Sequence, residues 1–210
     1  MSALILRVFA GLVLALGIVA GAGATIITFT GGTVSPDGTT YEEGGFRIQS
    51  IGNSAIFGDY YGTGNDVVHA HWLGGCCGGM TRLVVTKIDG SAFDLNYFVL
   101  TSNTHNGGGA ADGTEQTFIH ASADGVTETY FQLLPPEDWG FPATAINLNS
   151  QFDNIKAFWF TQNSGVDCFG MDSFYIDQEA PGEVPEPGTL ALVGLGLIGM
   201  RSLAHRRKPG

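Results

Sequence analysis

The chain has 210 residues, room for one domain with appendages, and it is rich in glycine (32) and poor in charge (14%), with 44% apolar residues and a formal net charge of −11. Low charge combined with this hydrophobicity excludes a disordered chain. Nucleic acid is excluded as a partner, because residues 25–183 carry four bases against nineteen acids, a net of −15 that leaves no cationic footprint for phosphates. In chain order, residues 1–24 hold one cation, Arg7, an apolar run from Val8 to Val19, and small residues ending in Ala22-Gly23-Ala24. That three-part layout predicts a signal peptide cut by signal peptidase after Ala24, and hence export.

From 25 to 177, short apolar or alternating runs are separated by turn residues, and none keeps a helical period for twelve residues. The runs fall at 26–29, 46–51, 55–57, 67–72, 81–88, 93–100, 117–121, 127–134, 146–148, 155–160 and 173–176. They predict an all-β fold, one antiparallel β-sandwich over residues 25–177, with Phe29, Phe46, Leu83, Val85, Phe93, Leu95, Phe158 and Phe174 among its buried positions. Phe93, Leu95, Tyr97 and Val99 alternate with Asp94 and Asn96, which predicts one buried face. Trp159, within Ala157-Phe158-Trp159-Phe160, is expected in the core. Asp89-Gly90 and Asp124-Gly125 are expected to close tight hairpins.

A linker over 178–184 leads to Pro185-Glu186-Pro187-Gly188-Thr189, an apolar stretch from Leu190 to Met200, and the basic cluster Arg206-Arg207-Lys208. As a helix the apolar stretch spans about 17 Å, or about 24 Å if it runs on to Ala204, against a hydrocarbon core of about 30 Å, so it suits transient anchoring. The bases would stay on the cytoplasmic side. The string VPEPGTLAL resembles the PEP-CTERM sorting signal of Gram-negative bacteria that make exopolysaccharide, a tail type also named after the C-terminus of certain ice-binding proteins. The resemblance covers 184–208 of the sorting segment 185–210 and its approach. It implies that an exosortase recognises Pro185, Glu186 and Pro187, that the inner-membrane anchor is transient, and that the protein passes to the cell surface or matrix. Arg201 to His205 separate the apolar run from the basic cluster, a departure that leaves the membrane boundary of the helix open.

The order of the β runs is also similar to the jelly-roll sandwich of carbohydrate-binding modules. That likeness implies a structural Ca²⁺, with Asp172 of Phe169-Gly170-Met171-Asp172-Ser173-Phe174 as first ligand and Glu42 or Glu43 as partners. Trp72, Trp139, Tyr60 and Tyr61 fall at or near predicted loops, where rings could stack on sugar faces. Among the three cysteines, a vicinal Cys76 to Cys77 bond is strained, and Cys168 paired with Cys76 or Cys77 is preferred. His69 and His71 flank Ala70 in a predicted strand and share a face. The pair resembles the metal-binding H-x-H of cupins, but no Glu follows within four residues, so exposed strand histidines beside a loop are the expectation; His105 and His120 would add ligands only if the fold brings them close. No G-x-S-x-G, H-E-x-x-H, S-x-x-K or Walker string occurs. The expected role is a non-catalytic glycan-binding or adhesion module associated with exopolysaccharide; the alternative is a secreted polysaccharide hydrolase.

Overall fold

Phe46, Ile48 and Ser50 are buried while Arg47, Gln49 and Ile51 face solvent, the period of two that a strand with one covered face requires. The same rule builds most of the fold in a computed structural model, which describes residues 24–60, 66–75, 78–105, 109–164 and 166–178. These belong to the first of two units into which the chain divides after Gln178. The strands are β1 (Thr25–Ile27), β2 (Thr33–Val34), β3 (Thr40–Glu43), β4 (Phe46–Ile51), β5 (Ile56–Asp59), β6 (Asp66–His71) and β7 (Arg82–Lys87). Then follow β8 (Leu95–Thr104), β9 (Gln116–Ser122), β10 (Tyr130–Leu133), β11 (Thr144–Asn147), β12 (Ala157–Ser164) and β13 (Cys168–Ile176).

They form two antiparallel sheets packed as a sandwich. One runs β11-β8-β13-β6-β5, with β1 also paired to β13; the other runs β10-β9-β12-β7-β4-β3-β2. From β7 onward the chain crosses repeatedly between sheets, in the manner of a jelly roll. All eight positions expected in the core are buried there. Its centre is aromatic: Phe174 of one sheet lies 5.2 Å from Phe158 and 6.4 Å from Phe160 of the other. Among the described residues no helix is long and apolar enough to cross a membrane, and the anchor expected over 190–200 lies outside them, as does the segment 1–23.

The structure corrects three local expectations and bears out a fourth. Asp89-Gly90 does form a turn, with Gly90 at φ +72°, but it joins β7 to β8 in different sheets and so closes no hairpin. Asp124-Gly125 does sit in the β9–β10 hairpin, where Asp124 Oδ1 accepts from Val126 N, Thr127 N and Ser122 Oγ; the backbone bonds from Thr127 and Val126 lead in holding its carboxyl well below the usual range. The alternation through Tyr97 breaks, because Leu95 pairs Ile176 and Tyr97 pairs Tyr175, which makes Asn96 a bulge. Beyond it Phe98 and Leu100 turn into the core in place of Val99, and the Tyr97 ring instead stacks on Tyr175 at 3.8 Å. Trp159 is buried on the outer face of its sheet, stacked on His120 at 5.4 Å under the Arg82 guanidinium at 4.9 Å.

Candidate functional site

Val68 and Ala70 of β6 belong to the core between the sheets, so His69 and His71 project from the opposite face. Antiparallel pairing sets Cys168 of β13 across from His71 and Gly170 across from His69. Residues directly opposite share a face, so the two imidazoles and the thiol converge, and the missing side chain at Gly170 leaves room beside His69. One ligand atom each from His69, His71 and Cys168 lies within 4.8 Å of the others. His71 Nδ1 stands 3.6 Å from Cys168 Sγ and 3.2 Å from Asp167 Oδ1.

This outer face is covered. His69, Cys168 and Asp167 are buried, and the His71 side chain is 20% exposed. Tyr60 lies over His69 with ring centroids 3.9 Å apart and planes within 17°. Gly75 and Gly78 press against the cluster so closely that a Cβ on the first would collide with the Asp167 carboxylate, and on the second with the backbone and Cβ of His71. Burial, followed by the nearby His71, pushes His69 down to about 3, with Asp167 opposing, so its ring is neutral at physiological pH.

The expectation of exposed histidines at 69 and 71 is therefore corrected: His69 is fully buried under Tyr60, and His71 is only partly exposed. Cys168 is the member that spacing could not reveal, lying 97 residues from His71 along the chain. The sequence signal that was present is the pair of glycine doublets, Gly74-Gly75 and Gly78-Gly79, shortly after His71.

A second cluster follows β8, where His105, Asp112 and Glu115 bring ligand atoms within 4.8 Å. His105 Nδ1 is 3.2 Å from Asp112 Oδ2 and 3.6 Å from Glu115 Oε1. Burial alone would raise Glu115, but backbone N–H groups, including those of Asp112 and Gly113 at 2.9 Å, outweigh it and hold the carboxyl low. A cavity of 350 Å³, lined by Leu73, Gly75, His105, Gln162, Val166 and Asp167, borders both clusters.

Beside them runs a groove of 540 Å³ lined by Pro136, Glu137, Asp138, Trp139, Phe141 and Pro142. Its wall is pinned to β8 by Asn103 N donating to Glu137 O at 3.0 Å and Gly140 N donating to Thr101 O at 2.8 Å. Trp139 and Phe141 remain 39% and 45% exposed. Burial, reinforced by Asp138 and opposed by a hydrogen bond with Thr144, pushes the Glu137 carboxyl above its ordinary value.

Of the aromatics expected to meet sugar, Trp139 lies on this groove, and Tyr60 is half-buried between it and His69, edge-on to Trp139 at 6.2 Å. Trp72 is fully buried against Phe169, with no face for a sugar, because it shares the parity of Val68 and Ala70 and so points into the core. Tyr61, Cys76 and Cys77 lie outside the described residues, and so does the expected pairing of Cys168 with Cys76 or Cys77. Asp172 is half-buried on β13. Glu42 pairs with Arg47 at 2.6 Å, and Glu43 Oε2 accepts from Thr28 N, Phe29 N and Tyr41 Oη, clamping the bend where Phe29 takes φ +60°. Neither ligand cluster includes Asp172, Glu42 or Glu43. His120 is held by Glu128 at 2.5 Å and Thr161 at 2.7 Å on the other sheet.

Pro185, Glu186, Pro187, Arg206, Arg207 and Lys208 also fall outside the described residues. Residues 183–208 match the family of the PEP-CTERM protein-sorting motif. No curated protein matches the chain. The motif marks the chain for exosortase processing, export and sorting to the cell surface.

Proposed function

We propose that this exosortase-sorted chain is a non-catalytic surface or matrix module that binds glycan, with exopolysaccharide as its partner. The observation that carries the reading is the groove in which two exposed rings, Trp139 and Phe141, stand beside the carboxylates of Glu137 and Asp138. Sugar rings present C–H faces that stack on aromatics and hydroxyls that hydrogen-bond carboxylates, so a concave surface with both is suited to them. The sorting motif supports the location, since it directs the domain to the surface where such polymers lie.

A polysaccharide hydrolase is the second reading, and it attaches to Glu137, whose carboxyl is raised by burial as a general acid's must be. A glycan array and a reducing-sugar release assay on the full chain, its W139A variant and its E137Q variant separate the two. Binding without release, weakened about tenfold in W139A (about 1.4 kcal/mol), is the expected result. Release that disappears in E137Q would make the protein a hydrolase. Neither binding nor release would remove the glycan reading.

A further inference from the structure

We propose that the outer face of the β6–β13 pair is a site for a borderline-soft divalent transition metal, zinc foremost, held by one imidazole nitrogen each from His69 and His71 and by the Cys168 thiolate. The spacing fits. A tetrahedral zinc with Zn–N about 2.0–2.1 Å and Zn–S about 2.3 Å sets its nitrogen and sulfur ligands about 3.6 Å apart. His71 Nδ1 and Cys168 Sγ stand at 3.6 Å, and all three donors lie within 4.8 Å. The ligands come from two hydrogen-bonded strands in fixed register, so the site is assembled by the sheet itself.

The surroundings fit as well. Asp167, buried, brings its carboxylate to 3.2 Å from His71 Nδ1, the ring nitrogen that also faces Cys168, and so offsets the charge of an ion held there. Gly170 opposite His69 leaves the space that a larger side chain would take, and Gly78 lets the chain lie directly against His71, where any Cβ would collide. Three protein ligands leave a fourth position for water or a small ligand, and the 350 Å³ cavity reaches Asp167.

The donor set selects the ion. Two imidazoles and a thiolate suit zinc or copper, whereas calcium and magnesium take oxygen. Copper in a His₂Cys site commonly adds a distant methionine, but Met80 and Met171 both belong to the core between the sheets, which favours zinc. A nucleophile triad is a poorer account of the same residues. In a triad, opposite ring nitrogens of the histidine serve the nucleophile and the acid, whereas here His71 Nδ1 faces both Cys168 and Asp167.

The test is a Co²⁺ titration of the reduced, metal-free full chain, read by the near-ultraviolet thiolate-to-metal charge-transfer band and followed by Zn²⁺ competition. One equivalent should bind, zinc should displace it, and a large excess of Ca²⁺ should not. C168S should abolish the band, and a C76S/C77S double variant should keep it. H71Q, at the partly exposed rim, should weaken binding at least tenfold with an unchanged far-ultraviolet dichroism spectrum, so the site stays testable if C168S does not fold. A band that survives C168S, a band lost in C76S/C77S, binding unaltered in H71Q, or no band in the reduced wild type would each overturn the site. So would peptide mass spectra showing Cys168 of the host-derived protein in a disulfide with Cys76 or Cys77.

Discussion

Replacing Phe174 by alanine tests whether the sandwich is held at its aromatic centre. The ring is fully buried and lies 5.2 Å from Phe158, 5.8 Å from Phe29, 6.3 Å from Phe98 and 6.4 Å from Phe160. Phe98, Phe158 and Phe160 come from both sheets with their backbones fixed by ladders, and Phe29 is clamped by Glu43, so the void cannot close by a local shift. Core Phe→Ala changes cost about 3–5 kcal/mol, the larger figures where the cavity persists, so a loss of about 4 kcal/mol is expected here. At about 2–4 °C per kcal/mol for a domain of this size, Tm should fall by about 8–16 °C. Phe131→Ala is the matched control: the same side chain, 54% exposed on the sheet-edge strand β10, should cost about 1 kcal/mol or less. Urea unfolding of the purified full chain, followed by tryptophan fluorescence, gives both values. A loss below about 1.5 kcal/mol for F174A, or one equal to that of F131A, would refute an aromatic core shared by the sheets.

Two further outcomes follow from the site's surroundings. Burial raises the Glu137 pKa, so as pH climbs past the ordinary carboxylate value the unfolded chain ionises first and stability is lost up through the folded pKa. E137Q should therefore raise Tm at pH 7 and leave it unchanged at pH 3, and melts across that range check the sign. Gly78→Ala drives a Cβ into the His71 backbone and should cost about 1–3 kcal/mol, whereas Gly31→Ala, with open space around its Cβ position, should be near neutral in the same melts.

Much of the scaffold was legible because period two is a local property. Each of the eleven predicted runs overlaps a strand, and only β2 and β3 were missed, since Thr33–Val34 and Thr40–Glu43 are short, largely polar pieces at one end of their sheet with no alternation to read. The faces of Trp72 and Trp159 were also written in that period: parity puts Trp72 with Ala70, and Trp159 opposite Phe158 and Phe160. What could not be read locally is the Asn96 bulge, set by the register of β13, and the change of sheet after Asp89-Gly90. The convergence of Cys168 with His69 and His71 is of the same kind, because a neighbouring strand from far along the chain supplies the third donor. The sorting motif is the opposite case, a contiguous string read without any fold.

The pairing of Thr25 with Ile176 has a consequence for the order of events in the cell. The first and last strands of the sandwich are hydrogen-bonded neighbours, so the polypeptide enters and leaves the domain at one end of one sheet, about 5 Å apart. Closure of that sheet spans the whole domain sequence, and such long-range pairing is the slow kind. A chain emerging N-terminus first therefore cannot finish the sandwich until β13 has followed. The sorting motif begins at residue 183, seven positions beyond Ile176. Completion of the fold and arrival of the sorting motif thus fall at nearly the same moment of translocation, and a chain arrested before Cys168 reaches the far side of the membrane with neither.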